Sequence, residues 1–394
     1  MNTKIRLTLM NFLQYAVWGA WLISLGAYLG NTLKFDGLQI GSFFATMGIA
    51  SLFMPAVMGI IADRWIPAQR LLGLCHLFAA GFITLAATRT DYNSLYTLVL
   101  LSVMFYMPTI ALSNSVAYNA LEKAGLDTVT HFPPIRVWGT VGFICAMWVV
   151  DLGKMGLSAT QLYFSATLGL ILGLYSFTLP NCPINRSGGG KSIVDLLGLR
   201  AFALFKQRKM AIFFIFSMLL GMSLQITNAF ADGYIKSFGD TGIHGAKYLG
   251  TFGVEHSTIL ISLSQISETL CILLIPFFLK RFGIKRVMLI AMFAWVLRFA
   301  LLGAGNPGPG VWMFILSMIV YGVAFDFFNI SGSLFVEKET SAAIRSSAQG
   351  VFMIMTNGLG ALIGSYLAGW VVKHYGWPLS WYLFAGFSLV VAIV

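Results

Sequence analysis

Residues 210–235 read MAIFFIFSMLLGMSLQITNAFADGYI, twenty-six residues with one formal charge, Asp232. The basic run KQRK (206–209) stands directly before them. At 1.5 Å per residue, a helix of this length rises about 39 Å, enough to cross a hydrocarbon core about 30 Å thick. In lipid every backbone N–H and C=O must be paired within the protein, which leaves helices and closed barrels. The stretch lacks the alternating pattern of a barrel strand, so it reads as a transmembrane helix.

Working outward, apolar segments of spanning length recur downstream at about 257–279, 286–305, 310–335, 343–372 and 377–394. Upstream they lie at about 7–31, 39–61, 70–88, 94–120, 135–152 and 160–180. The pattern predicts an all-α membrane protein with twelve transmembrane helices. An N-terminal bundle (1–180) and a C-terminal bundle (210–394) are joined by a linker (181–209). In the linker, SIVDLLGLRAFALFKQRK (192–209) mixes apolar and basic residues, as an interfacial helix does. Its SGGGKS (187–192) lacks the first glycine of a phosphate loop and no strand precedes it, so it reads as a flexible connection.

Composition agrees. Of 394 residues, 58% are hydrophobic and 10% charged, against about 25% charged in a soluble domain. The mean hydropathy is +0.82. An ordinary soluble enzyme, a disordered chain and a disulfide scaffold are excluded. The four cysteines all lie in or beside apolar runs and form no disulfide framework. The apolar run after Lys4 and Arg6 extends to about Leu29. It is too long for a signal-peptide core and lacks a cleavage site, so it reads as the first span.

The net charge is +11. With the N-terminus inside, 17 of the 25 Lys and Arg residues fall on the cytoplasmic side, 6 on the other, and Arg136 and Arg298 within spans. That bias fits an even number of spans with both ends in the cytoplasm. It accounts for the charge by topology and anionic lipid, with no nucleic-acid partner.

Ionisable groups within spans are costly and are the first candidates for function. Arg136, Thr140 and Phe143 are spaced i, i+4, i+7 and share one helix face; a guanidinium, a hydroxyl and an aromatic plane suit a polar ring compound. Gln225, Asn228 and Asp232 form a polar stripe on the seventh helix, whose carboxamides suit base edges or sugar hydroxyls. Gln265 and Glu268 are one turn apart, and Glu268 has no local cation at i±3 or i±4, which makes it a candidate to carry a proton. Tyr321, Phe325 and Asn329 are spaced by fours, with Asp326 beside them. Aromatics next to a carboxylate can stack on a ring and bind its hydroxyls. Arg298 is expected to pair with a carboxylate. Gln14 and Trp18, and Ser113, Asn114 and Tyr118, serve equally well as cavity lining or packing. His76 is alone in its helix, and no metal-ligand spacing or nucleophile triad is present.

The strings FPPIRVWGTVGFICAMW, LQITN, SQISETL, RFGIKRVM, YGVAFDFFNISGSLFVEKE and AIRSSAQGVFMIMTNG closely resemble the bacterial nucleoside permeases of the nucleoside:proton symporter family. The likeness runs from LKFDG (33–37) to the eleventh helix. The family belongs to the major facilitator superfamily, so the resemblance implies two six-helix bundles with a substrate site between them. It implies inward nucleoside transport driven by protons, at the bacterial inner membrane, with no other cofactor. Uridine and adenosine are typical substrates, and the protein would work as a monomer. Carried over by matching strings, the substrate residues would be Arg136, Thr140, Phe143, Gln225, Asn228, Gln265, Glu268, Tyr321, Phe325 and Asp326. Glu268 and Asp326 would be the proton carriers. Spacing alone leaves a sugar:proton symporter open, and less readily a membrane-embedded enzyme. The superfamily's loop signature survives as Gly59, Asp63 and Arg64, but WIPAQR (65–70) replaces its later part. The loop KSFGDTGIHGAKYLGTFGVEHS (236–257) departs from the family strings, as does the linker around 181–192. The chain also stops inside an apolar run at Val394, so it is expected to lack a short polar tail.

Overall fold

The computed structural model describes residues 2–182, 184, 199–241, 247–341 and 344–393. The sequence 187–192, residues 192–198 of the expected interfacial helix and residues 242–246 of the divergent loop lie outside them. Every regular element among the described residues is helical. Among the described residues, eight helices are long and apolar enough to cross a bilayer. The longest, Ser257–Ala304, breaks at Gly283, whose φ of 74° is open to glycine at little cost. Three 17-residue helices, Thr3–Gly19, Thr160–Ser176 and Trp377–Ile393, bring the described set to twelve.

In order they are α1 (Thr3–Gly19), α2 (Gly37–Arg64), α3 (Ala68–Ala87), α4 (Tyr92–Lys123), α5 (Thr128–Leu152) and α6 (Thr160–Ser176). Then come α7 (Arg208–Ser237), α8 (257–282), α9 (284–304), α10 (Val311–Glu339), α11 (345–375) and α12 (Trp377–Ile393). A 3₁₀ segment, Leu199–Lys206, leads from the linker into α7. Within α11 the stretch Ile354–Gly360 is π-helical.

Local chemistry sets several helix starts. Before α2, Asp36 Oδ1 accepts from the Gln39 N–H (2.9 Å) while Gln39 Oε1 accepts from the Asp36 N–H (3.0 Å). This reciprocal cap satisfies two donors that a helix start leaves free. Asp91 caps α4 through the Ser94 N–H (2.9 Å), and that bond holds its carboxyl below the usual range. Asp127 accepts from the Thr130 N–H (2.9 Å) and opens α5 at Thr128. Pro133 and Pro134 therefore stand inside α5, beyond its first turn, and the helix starts ahead of the span expected at about 135.

The chain forms two compact units. One comprises Met1–Leu22 and Ile49–Leu197; the other comprises Ile23–Gly48 and Gly198–Val394. The first has an aliphatic core built from α1 to α6, including Leu7, Met10, Leu72, Val116 and Leu172. The core of the second is aromatic: Tyr234, Phe299 and Phe384 pack around the fully buried Trp381. Within this second unit, helix backbones touch directly. A methyl group at Gly41 would overlap the Ser365 carbonyl of α11, and one at Gly26 would overlap the Ala229 carbonyl of α7. Small residues at such crossings let helices approach closely in lipid, and they hold Ile23–Gly48 to the second unit. On α8, Leu270, Leu273 and Phe277 form an exposed apolar stripe, suited to lipid.

Candidate functional site

In the first unit, Arg136 lies half-buried on α5 with its guanidinium 3.9 Å from the centre of the Tyr15 ring. Phe143 is buried two turns further along and meets Trp18 edge-on, ring centres 6.3 Å apart. Thr140 stands between them, partly exposed. Glycines set this geometry. Gly142 lies against the Phe12 backbone and Gly139 under the Tyr15 ring, so α5 sits tightly on α1. The three residues expected to act together do share one face.

Gln14 turns inward instead. Its amide nitrogen donates to Thr109 Oγ1 (2.7 Å), its amide oxygen meets His76 Nε2 (2.8 Å), and the Tyr106 hydroxyl donates to its backbone oxygen (2.7 Å). His76 is fully buried, with no hydrogen-bond partner for Nδ1 among the described residues. The sequence reading gave His76 no role. The signal was present, because a lone imidazole at spanning depth needs a polar partner, but that partner sits on another helix. Ser113 bonds back to its own helix at the Ile110 carbonyl (2.9 Å), and Tyr118 packs on Phe132.

The second unit gathers the other seven candidates. Gln225 on α7 is buried, and its amide oxygen has no partner among the described residues. The Gln265 amide oxygen on α8 is in the same position. Asn228 is partly exposed one turn from Gln225. Tyr321 and Phe325 of α10 stack almost parallel, ring centres 5.7 Å apart and planes 9° apart. Asp326 is buried, with Oδ2 unpartnered among the described residues. Glu268 lies close to Asp326 and to Tyr321. Gly322 makes this possible: lacking a side chain, it lets α10 rest on α8 at Ser267, whose hydroxyl donates to the Ile319 carbonyl.

Arg298 differs from expectation. Its guanidinium donates to the Ser317 carbonyl (2.6 Å) and lies 4.6 Å from the centre of the Tyr321 ring. None of its described partners is a carboxylate. The carbonyl and the aromatic face substitute for one. Asp232, by contrast, is fully engaged. It pairs with Lys236 (2.8 Å) and accepts from Ser257 (2.5 Å) and Thr258 (3.2 Å), so it ties α7 to α8.

Buried polar atoms are normally hydrogen-bonded, and each exception asks for a reason. A stacked aromatic pair with a carboxylate oxygen unpaired beside it, and two amide oxygens unpaired in the same unit, suit a flat ligand carrying N–H or O–H donors. A profile for the family described as "Nucleoside H+ symporter" matches residues 1–394. The chain belongs to the nucleoside H+ symporter family.

Among relatives in this family, the nucleoside permease NupG of Escherichia coli (strain K12) is 51% identical, covering 100% of this chain and 94% of its own. The xanthosine permease of the same organism is 49% identical, with 100% and 95% covered. A crystal structure of a NupG mutant superimposes with a TM-score of 0.96 at 50% identity, over 100% of this chain and 98% of that one. A bacterial homolog to the human lysosomal transporter Spinster, at 14% identity and a TM-score of 0.69, shares the fold alone. The symporter chain is thus an all-helical, multi-pass membrane transporter of the major facilitator fold.

Proposed function

We propose that this chain imports nucleosides such as uridine or adenosine together with protons, by alternating access across the bacterial inner membrane. The observation that carries the reading is the Tyr321–Phe325 stack with the Glu268 and Asp326 carboxyls close to Tyr321; in the same unit the Gln225 and Gln265 amide oxygens have no partner among the described residues. An aromatic stack takes a nucleobase face; the carboxamides take its edge or the ribose hydroxyls. Arg136, Thr140 and Phe143 offer a second surface of the same kind. Glu268 and Asp326 are the residues that take a proton outside and release it inside. A single charge crossing 100 mV gains about 2.3 kcal/mol. The N-terminus is cytoplasmic, the working unit is a monomer, and protons are the only coupling ion. The protein is a carrier and not an enzyme, so its substrate emerges unchanged.

The test is uptake of labelled uridine into proteoliposomes with an imposed pH gradient. Accumulation should collapse without the gradient and be competed by nucleosides but not by hexoses. Hexose competition would favour a sugar:proton symporter, and chemically altered substrate would favour an enzyme. Glu268→Gln and Asp326→Asn should keep equilibrium exchange while losing gradient-driven accumulation. If both variants accumulate uridine like the parent, the coupling assignment is wrong.

A further inference from the structure

Within the second unit a small recess lies between α7, α10 and α11. Phe325 forms part of its wall, so it is continuous with the aromatic stack, and Trp295 closes another side. Two carboxamides not assigned above also line it, Asn329 and Asn357. Asn329 has no hydrogen-bond partner among the described residues; the only one Asn357 has is the Met353 thioether at 3.7 Å, a weak acceptor. Thr356 beside it is satisfied by the Phe352 carbonyl at 2.9 Å.

The backbone fixes the depth of Asn357. It sits in the π-helical stretch Ile354–Gly360, a widened turn of the kind that frequently marks functional positions. Gly221 of α7 lies against the Thr356 backbone with no room for a methyl group. Asn329 stands one turn beyond Phe325, on the same face of α10. Asn228 likewise stands one turn beyond Leu224, which lines the recess. A ring packed on Phe325 would therefore present its polar edge towards Asn329 and Asn357.

We propose that Asn329 and Asn357 read the hydrogen-bonding edge of the nucleobase and so set which nucleosides are preferred. This rests on the reading that the chain carries nucleosides. Bases differ at that edge: the 4-position of uracil is a carbonyl acceptor and that of cytosine an amino donor. A carboxamide held in one orientation turns either its NH₂ donor or its C=O acceptor to the base, so it favours one of the two edges, and its removal takes that preference away.

The experiment measures how unlabelled uridine, cytidine and 2′-deoxyuridine compete with labelled uridine uptake in proteoliposomes. It compares the parent with Asn329→Ala, Asn357→Ala and the smaller polar changes Asn329→Ser and Asn357→Ser. The uridine-to-cytidine preference should shift about three- to tenfold, while the uridine-to-deoxyuridine preference, which reports on the sugar, stays put. These ratios do not depend on how much protein is folded. Ligand-induced thermal shifts supply them for a variant that binds without transporting. An unchanged base preference in all four variants, or an equal shift in the sugar preference, overturns the inference alone. A parent protein that takes up no nucleoside overturns the transport reading and this inference with it.

Discussion

Arg298 is fully buried, and its charge is answered by the Ser317 carbonyl and the face of Tyr321. Arginine suits this place because a planar guanidinium can donate in plane and stack out of plane at once, whereas lysine offers a point charge. Arg298→Lys should therefore loosen Tyr321. The expected loss is about 1–3 kcal/mol, read as a lower thermal midpoint of the purified protein, together with weaker substrate competition. Asp36 makes the opposite case. Slight burial pushes its carboxyl up, but Lys373 at 2.8 Å and the Gln39 N–H outweigh that and hold it below the usual range. A lowered folded-state value means the pair stabilises the protein at neutral pH. The stabilisation fades as pH falls through that lowered value. Because both side chains are well exposed, Asp36→Asn should cost under about 1 kcal/mol at pH 7. The gap between its melting midpoint and the parent's should close as the medium is acidified.

Helix against helix, the controlling residues are glycines. A side chain at Gly41 meets the α11 backbone, while one at Gly59, on the same helix α2, meets nothing within 4 Å. Gly41→Val should destabilise by about 1–3 kcal/mol through overpacking. Gly59→Ala should be neutral or slightly stabilising through helix propensity, and melting of the two variants checks the contrast. The twelve spans were legible because each is a long apolar run bounded by charge, and lipid permits one reading of such a run. Shared faces were legible too: Arg136, Thr140 and Phe143 follow from helical spacing, as does the Tyr321–Phe325 stack. What a side chain meets on another helix was not. Arg298 was expected to face a carboxylate and found a carbonyl and a ring, while the hydrogen-bond partner of His76 comes from α1. The π-helical turn in α11 has no sequence period of its own, so the placing of Asn357 came from the structure alone.

At the scale of the molecule, the distribution of Lys and Arg makes a prediction independent of transport. Cysteine placed at Lys285 should react with an impermeant maleimide only from the cytoplasmic side, and cysteine at Lys154 only from the outside. The native thiols leave this clean, since Cys75, Cys182 and Cys271 are buried and Cys145 lies within a span. The sequence divided the chain at its linker. The structure also shows Ile23–Gly48 packed with the second unit, which hydropathy could not reveal because those residues look like any other span. That packing bears on what would follow if the linker were severed. Two separately synthesised fragments, 1–184 and 199–394, would not be strangers. The first would carry into the bilayer a ready-made docking strip, Gly26, Gly37 and Gly41, whose mates Ala229, Gly369 and Ser365 are all on the second. Co-expressed fragments should purify as one complex through a tag on either piece, and Gly41→Val should weaken their reunion.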